Sequence, residues 1–142
     1  MIVIDANLLI CAYDSHSPSH KKSVAWLEQA FSGVEAVGLP WQSISAFLRV
    51  ITNRRLSGTR VSVEQSVQIV DEWLGQPLTQ VLVPGDDHWS VLRRMIEEGR
   101  ATGPLVSDAQ IAALTVEYGG VLHTADRDFA RFPGLRWKNP LS

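Results

Sequence analysis

The segment MIVIDAN, residues 1–7, runs from an apolar stretch directly into Asp5. A short uninterrupted apolar run is typical of a strand that is buried on both faces of a parallel sheet. Two further runs end in the same way, residues 104–107 before Asp108 and residues 120–125 before Asp126. Ligands of open α/β sheets bind beyond the carboxyl ends of the strands. Three such runs therefore predict that three carboxylates meet in one crevice.

Carboxylates that converge repel one another unless a cation neutralises them. Oxygen-rich sites of this kind suit hard divalent cations, so we expect Asp5, Asp108 and Asp126 to bind Mg²⁺ or Mn²⁺, directly or through water. Each aspartate also has a purely structural interpretation. Ser107 and Gln110 have the spacing of a capping box around Asp108, and Asp126 can cap a following helical turn. Their joint placement favours the metal site.

The composition is that of one soluble domain. A chain of 142 residues, 45% of them hydrophobic, is long enough to bury a core, and we predict a single domain over residues 1–142. A formal net charge of −2 gives no sign of non-specific nucleic-acid binding, although a local basic patch would permit it. The single cysteine, Cys11, fits a reducing compartment, and neither an export signal nor a membrane-spanning run is present. We expect a cytoplasmic protein.

Alternating strand and helix patterns predict an α/β fold in which helices flank a mostly parallel central sheet. Strand-like runs lie at residues 2–4, 34–39, 79–83 and 121–124, with a possible edge strand at 135–137. Helical spacing links Val24 to Phe31, Ile44 to Ile51, Val63 to Leu74, Trp89 to Ile96 and Ile111 to Tyr118, and residues 128–132 suggest a helical turn.

Four segments resemble the motifs of PIN-domain ribonucleases, specifically VapC-type toxins of toxin-antitoxin pairs. They are residues 4–7 (IDAN), 41–53 (WQSISAFLRVITN), 107–114 (SDAQIAAL), and 124–129 (TADRDF) with 132–135 (FPGL). The order of the segments and the length of the chain agree with the family as well.

The resemblance implies a PIN-like fold, Mg²⁺ or Mn²⁺ dependence, an RNA substrate, homodimerisation and inhibition by a small cognate antitoxin. It implies metal-ligand roles for Asp5, Asp108 and Asp126, and a supporting role for the acid Asp128. Asn7 and Thr124 would position water or phosphate by hydrogen bonding. The RNA would be a structured cellular one, whose loops splay single-stranded bases.

One position departs from the family pattern. The family commonly has a glutamate three residues before the arginine of the helix that Trp41 opens, and that position is Ala46 here. Asp128, or an acid from Asp86-Asp87, could replace it, and the sequence leaves both open.

Two other functions compete with the nuclease. A phospho-acceptor receiver domain also has an aspartate at a strand end, and Lys138 before Pro140 resembles its terminal lysine, but no acidic pair precedes Asp5. A non-catalytic RNA- or protein-binding module could have lost activity through Ala46.

Basic and aromatic residues give weaker signals. Arg54, Arg55 and Arg60 could form a phosphate-binding lip or simply a solvated helix end. The tryptophans could stack on bases, but packing in the core or a dimer is the better interpretation for most of Trp41, Trp73, Trp89 and Trp137.

Overall fold

Five strands form one sheet in the order β3-β2-β1-β4-β5, and every neighbouring pair is parallel. The computed structural model describes residues 1–53 and 61–142. The strands are β1 (Ile2–Ile4), β2 (Val37–Pro40), β3 (Thr79–Leu82), β4 (Val121–His123) and β5 (Trp137–Lys138). The predicted α/β fold with a central parallel sheet is confirmed.

Helices cover both faces of the sheet. They are α1 (Ala6–Tyr13), α2 (His20–Ser32), α3 (Trp41–Ile51), α4 (Val63–Leu74), α5 (His88–Gly99) and α6 (Leu105–Glu117), with a 3₁₀ helix at Arg127–Arg131. The sequence patterns predicted all of these except α1. No helix among the described residues combines the length and the apolar character that crossing a bilayer requires.

The central strand β1 separates two hydrophobic cores. Consecutive side chains of a strand point to opposite faces, and Val3 joins a core with α5 and α6, whereas Ile4 joins a core with α1, α2, α3 and α4. Both residues are fully buried. Burial on both faces explains why the run at residues 2–4 is apolar without alternation.

Two glycines bring β4 beside β1. Gly119 follows α6 with a φ of 66°, a left-handed conformation that glycine adopts without strain. A Cβ at Gly120 would lie 2.8 Å from Cγ2 of Val3, so only glycine allows the chain to approach β1 this closely. The end of α6 thereby sets the start of β4.

The segment before Asp108 is not a strand. Helix α6 begins at Leu105 with Pro104 as its N-cap, so Ser107 lies inside the first turn and the predicted capping box is wrong. Gly103, with a φ of 54°, and Pro104 form the turn that starts the helix. Val106 is 36% exposed, which a strand inside the sheet would not allow.

Two smaller predictions also need correction. The apolar spacing of Val63, Val67, Val70 and Leu74 predicts that these four residues face the core. Helix α4 instead buries Ser66, Val70 and Trp73, and Val63 and Val67 are mostly exposed. Strand β2 begins only at Val37, and the exposed Val34 lies before it.

The tryptophans divide between core and surface. Trp73 is buried and Trp137 packs against the core, as predicted, but Trp41 and Trp89 are exposed over 50% and 66% of their surface. The predicted phosphate-binding lip of Arg54, Arg55 and Arg60 lies outside the described residues.

Candidate active site

The candidate site lies beyond the carboxyl ends of β1 and β4. The chain leaves β1 toward β2 on one side, and it leaves β4 toward β5 on the other. A crevice opens where neighbouring parallel strands diverge in this way. Ile4 pairs with His123 in register, so Asp5 and Thr124 come next to each other at this point.

Asp5 is held by hydrogen bonds from two directions. Its Oδ1 accepts from the backbone N–H of Ala6 at 2.8 Å, and its Oδ2 accepts from the Thr124 hydroxyl at 2.7 Å. Only 7% of Asp5 is exposed. Burial raises the pKa of Asp5, the two hydrogen bonds oppose this effect, and the charge of Asp126 adds to it. The carboxylate is therefore positioned rigidly at an energetic cost that a nearby cation would offset.

Thr124 supports Asp5 and does not contact solvent. Its hydroxyl donates to Asp5 and accepts from Nδ2 of Asn7 at 3.3 Å and from the backbone N–H of Asp126 at 3.0 Å. Thr124 is fully buried. This hydroxyl therefore orients the acid in the described structure, and the expectation that it positions water or phosphate stays a prediction.

Asn7 connects the two strand ends. Besides the contact with Thr124, its Oδ1 accepts from the backbone N–H of Ala125 at 3.5 Å. Both ends of its amide thus face residues 124–126, the loop that follows β4 (the β4 loop). Asn7 therefore positions this loop.

Asp126 and Asp128 occupy the first turn of the 3₁₀ helix. Asp126 caps this helix, because its Oδ1 accepts from the backbone N–H of Asp128 at 2.9 Å. The predicted capping role of Asp126 is confirmed, and it leaves Oδ2 without a capping function. Asp128 itself is exposed.

Asp108 reaches the same crevice from the first turn of α6. Burial raises its pKa to about 6, and the charges of Asp5, Asp126 and Asp128 contribute to the rise, while Arg131 opposes it. Because the charges of Asp5, Asp126 and Asp128 add to the rise that burial causes, these three carboxylates lie within electrostatic reach of Asp108. The structure therefore brings the four predicted acids together from β1, α6 and the β4 loop.

A cleft of about 790 Å³ adjoins these acids. Asp5 and Asp108 line it together with residues of α3, among them Ala46. A second cavity of about 530 Å³, between α1, α2 and α4, contains none of the predicted site residues. The first cleft is the candidate active site.

Helix α3 forms the wall opposite Asp108. Its apolar positions Ile44, Phe47 and Ile51 enter the core. The complementary face lines the cleft with Trp41, Gln42, Ser45, Ala46 and Arg49. Of these residues, Gln42, Ser45 and Arg49 had no predicted role. The available signal was their position on the helix that follows β2, on the face that the apolar spacing leaves open.

Asp86 and Asp87 lie elsewhere. They precede α5, whose first residue, His88, contacts Glu117 at 2.6 Å. Glu117 is nine residues beyond Asp108 on α6, which corresponds to about 14 Å along a helix. The structure therefore does not bring Asp86-Asp87 to the site as a replacement for the missing glutamate.

The donor set fits a hard divalent cation. Carboxylate oxygens suit Mg²⁺ and Mn²⁺, and a cation would offset both the burial and the neighbouring negative charges that raise the pKa of Asp108. Within residues 1–53 and 61–142, however, no three acidic, histidine or cysteine side chains are grouped closely enough to hold a metal by themselves. Such a cation would need further oxygen ligands from water, substrate or an amide.

Comparison with known proteins agrees with this geometry. The model of the PIN domain family matches residues 2–135. Ribonuclease VapC33 of Mycobacterium tuberculosis is 33% identical over 141 residues, and ribonuclease VapC37 of the same species is 36% identical over 140; each alignment covers at least 97% of both chains.

Solved structures share the fold. VapBC-1 from nontypeable Haemophilus influenzae aligns with a TM-score of 0.70 at 17% identity, over 100% of both chains. VapC20 of Mycobacterium tuberculosis, a Sarcin-Ricin loop cleaving toxin, aligns with a TM-score of 0.66 at 13% identity, over 96% of this chain and 99% of that one. The chain belongs to the PIN domain family and, within it, to the VapC ribonucleases.

Proposed function

We propose that this chain is an endoribonuclease toxin that uses Mg²⁺ or Mn²⁺ to hydrolyse a phosphodiester bond of structured RNA. The observation that carries the proposal is that Asp5 and Asp108 line one cleft, while the Thr124 hydroxyl that binds Asp5 also accepts from the backbone N–H of Asp126. The ribonuclease names of its relatives support the reaction class.

Asp5 and Asp108 would hold the cation directly, because both line the cleft. Asp126 would hold it directly or through water, and Asp128 would add negative charge at the rim. When bound, the metal lowers the pKa of water and neutralises charge that develops on the phosphate. Thr124 and Asn7 keep Asp5 and the β4 loop in place.

The α3 wall suits single-stranded RNA. Trp41 is half exposed at the cleft, where a flat aromatic surface can stack on a base of any kind. Arg49 lines the same cleft and provides a cation for a backbone phosphate. Trp41 and Arg49 thus supply contacts to a base and to a phosphate, which the metal-binding acids cannot make.

A small antitoxin is the proposed protein partner, since solved relatives include VapBC assemblies bound to DNA, one of them VapBC2 of Rickettsia felis with a fragment of their promoter. A positively charged antitoxin side chain near the acids would block metal binding. Homodimerisation remains a prediction from the family resemblance.

The direct test is to incubate the purified chain with total RNA in Mn²⁺, in Mg²⁺ and in a chelator, and to map new RNA ends by sequencing. We expect a small set of ends that require metal and are missing with Asp5→Asn. RNA that binds but is never cut in either metal would favour the non-catalytic module instead.

A further inference from the structure

The carboxamide of Gln42 has no hydrogen bond at its oxygen. Its Oε1 is buried from solvent and finds no donor among the described residues. Such an acceptor costs free energy, because it has given up water without a replacement. The side chain nevertheless lines the cleft with Asp5 and Asp108.

Gln42 and Ala46 lie on the same face of α3. Residues four apart are neighbours on a helix surface, and both of these line the cleft. Helical side chains lean toward the N-terminus of their helix, so a long acidic side chain at position 46 would point back toward Gln42. In this chain, the neutral amide of Gln42 thus lies near the region that the carboxylate of the family's glutamate would reach.

The position of Gln42 at the start of α3, close to the end of β2, also favours a role near Asp5. It is the second residue after β2, and β2 pairs directly with β1, which ends at Asp5. Amide oxygens of Asn and Gln are accepted ligands of hard cations, although they carry no charge. Within residues 1–53 and 61–142, no hydrogen bond to Oε1 holds the amide in its present orientation.

We propose that Gln42 is an additional ligand of the divalent cation, which it binds through its amide oxygen in place of the glutamate missing at Ala46. This inference rests on the proposed metal-dependent function. The amide oxygen of Gln42 would add one ligand to a set that the described acids do not complete alone. Exchanging a negative ligand for a neutral one also reduces the repulsion around Asp108.

The test measures Mn²⁺ affinity by calorimetry, without RNA. Gln42→Met keeps the length of the side chain and removes the oxygen, and we expect its Kd for Mn²⁺ to rise about tenfold, a typical effect for a supporting ligand. Gln68→Met makes the same change on the exposed side of α4 and should leave the Kd unchanged. Unfolding without metal checks that both variants are folded.

Rescue distinguishes a ligand from a packing residue. Adding Ala46→Glu to Gln42→Met should restore Mn²⁺ affinity to the wild-type value or better, because the acid supplies the lost oxygen. A purely structural role of Gln42 would give no such rescue. Gln42→Glu should bind Mn²⁺ at least as tightly as wild type.

The outcomes separate the two proposals. If Asp5→Asn abolishes Mn²⁺ binding while Gln42→Met binds like wild type, the role of Gln42 is refuted and the metal-dependent nuclease stands. If wild type itself binds no Mn²⁺, both are refuted. A weakened Gln42→Met that Ala46→Glu does not rescue also refutes the ligand role.

Discussion

At the scale of single residues, Asp5 and Thr124 form the most constrained pair of the site. Asp5 is nearly buried and Thr124 completely so, and the hydroxyl between them makes three contacts. A buried carboxylate with only two donors is unfavourable unless its charge is used. This pair therefore reduces the stability of the fold locally, and the proposed function uses the charge that causes this cost.

Neutralising any of the three main acids should abolish cleavage and leave a folded protein. We expect Asp5→Asn, Asp108→Asn and Asp126→Asn each to lower the rate about a hundredfold or more, the size of a lost electrostatic contact in a transition state. Cleavage of a mapped RNA site and the melting temperature without metal check this. Asp71→Asn, an exposed change on α4, is the control. Two active variants among the three would show that the site is misassigned.

The metal-free protein should become less stable as the pH rises from about 4 to about 6. The pKa of Asp108 is raised from 3.8 to about 6, so the folded chain holds this proton more tightly than the unfolded chain does. Stability from such a group is present below the unfolded pKa and is lost as the pH passes the folded pKa.

Urea unfolding of wild type and Asp108→Asn, at several pH values with chelator present, isolates this effect. The difference between the two proteins should change between pH 4 and 6 and be constant above 7. Titrating groups that do not interact with Asp108, such as His123, cancel in the difference. A difference that does not vary with pH would contradict the raised pKa.

At the scale of elements, α3 combines core packing on one face with the cleft on the other. Trp41 opens this helix and stays half exposed at the cleft. We expect Trp41→Leu to weaken binding of single-stranded RNA by roughly tenfold, because stacking on one base contributes about 1–3 kcal/mol.

The measurement uses the inactive Asp5→Asn background, so that RNA is bound and not cut. Trp89→Leu is the matched control, since Trp89 is also exposed but lies on α5, away from the cleft. Equal losses in both variants would mean that Trp41 has no special contact with RNA.

The elements also show where sequence patterns suffice. The runs before Asp5 and Asp126 both contain strands, β1 and β4, and their parallel pairing brings Asp5 beside Thr124, two residues before Asp126. Asp108 lines the predicted crevice with Asp5, but it lies in the first turn of a helix and does not follow a strand. A run of three apolar residues after a glycine does not distinguish a strand from the start of a helix.

Other features depend on packing that the sequence does not state. On α4, two sets of residues have helical spacing, and the large ring of Trp73 against Phe47 decides which set is buried. Helix α1 was not predicted because its apolar residues follow one another without a clear period. The role proposed for Gln42 depends on the cleft and on the unsatisfied amide oxygen of Gln42, and both exist only in the folded chain.

At the scale of the whole molecule, metal binding should be coupled to stability. A cation that binds only the folded state stabilises it by about 2.7 kcal/mol at a hundredfold excess over Kd. Mn²⁺ should therefore raise the melting temperature of wild type clearly and that of Asp5→Asn much less. Thermal scans across a Mn²⁺ titration test this, and equal shifts in both proteins would point to metal bound elsewhere.

A protein partner should protect cells from the chain. We expect expression alone to arrest growth, and co-expression with the small protein from the neighbouring gene to relieve the arrest and yield a complex that purifies intact. Asp5→Asn should not arrest growth. Arrest that persists with every adjacent small gene would remove the antitoxin from the proposal and leave the nuclease untouched.

The contact between Asp5 and Thr124 joins residues that are 119 positions apart. During synthesis on the ribosome, β1 emerges early and must wait for β4 before its second edge is paired and the site can close. Contacts so distant in sequence form late. A translation product that stops before residue 121 therefore lacks both the hydroxyl and Asp126, so the two strand ends of the site cannot meet until residues 121–126 have been made.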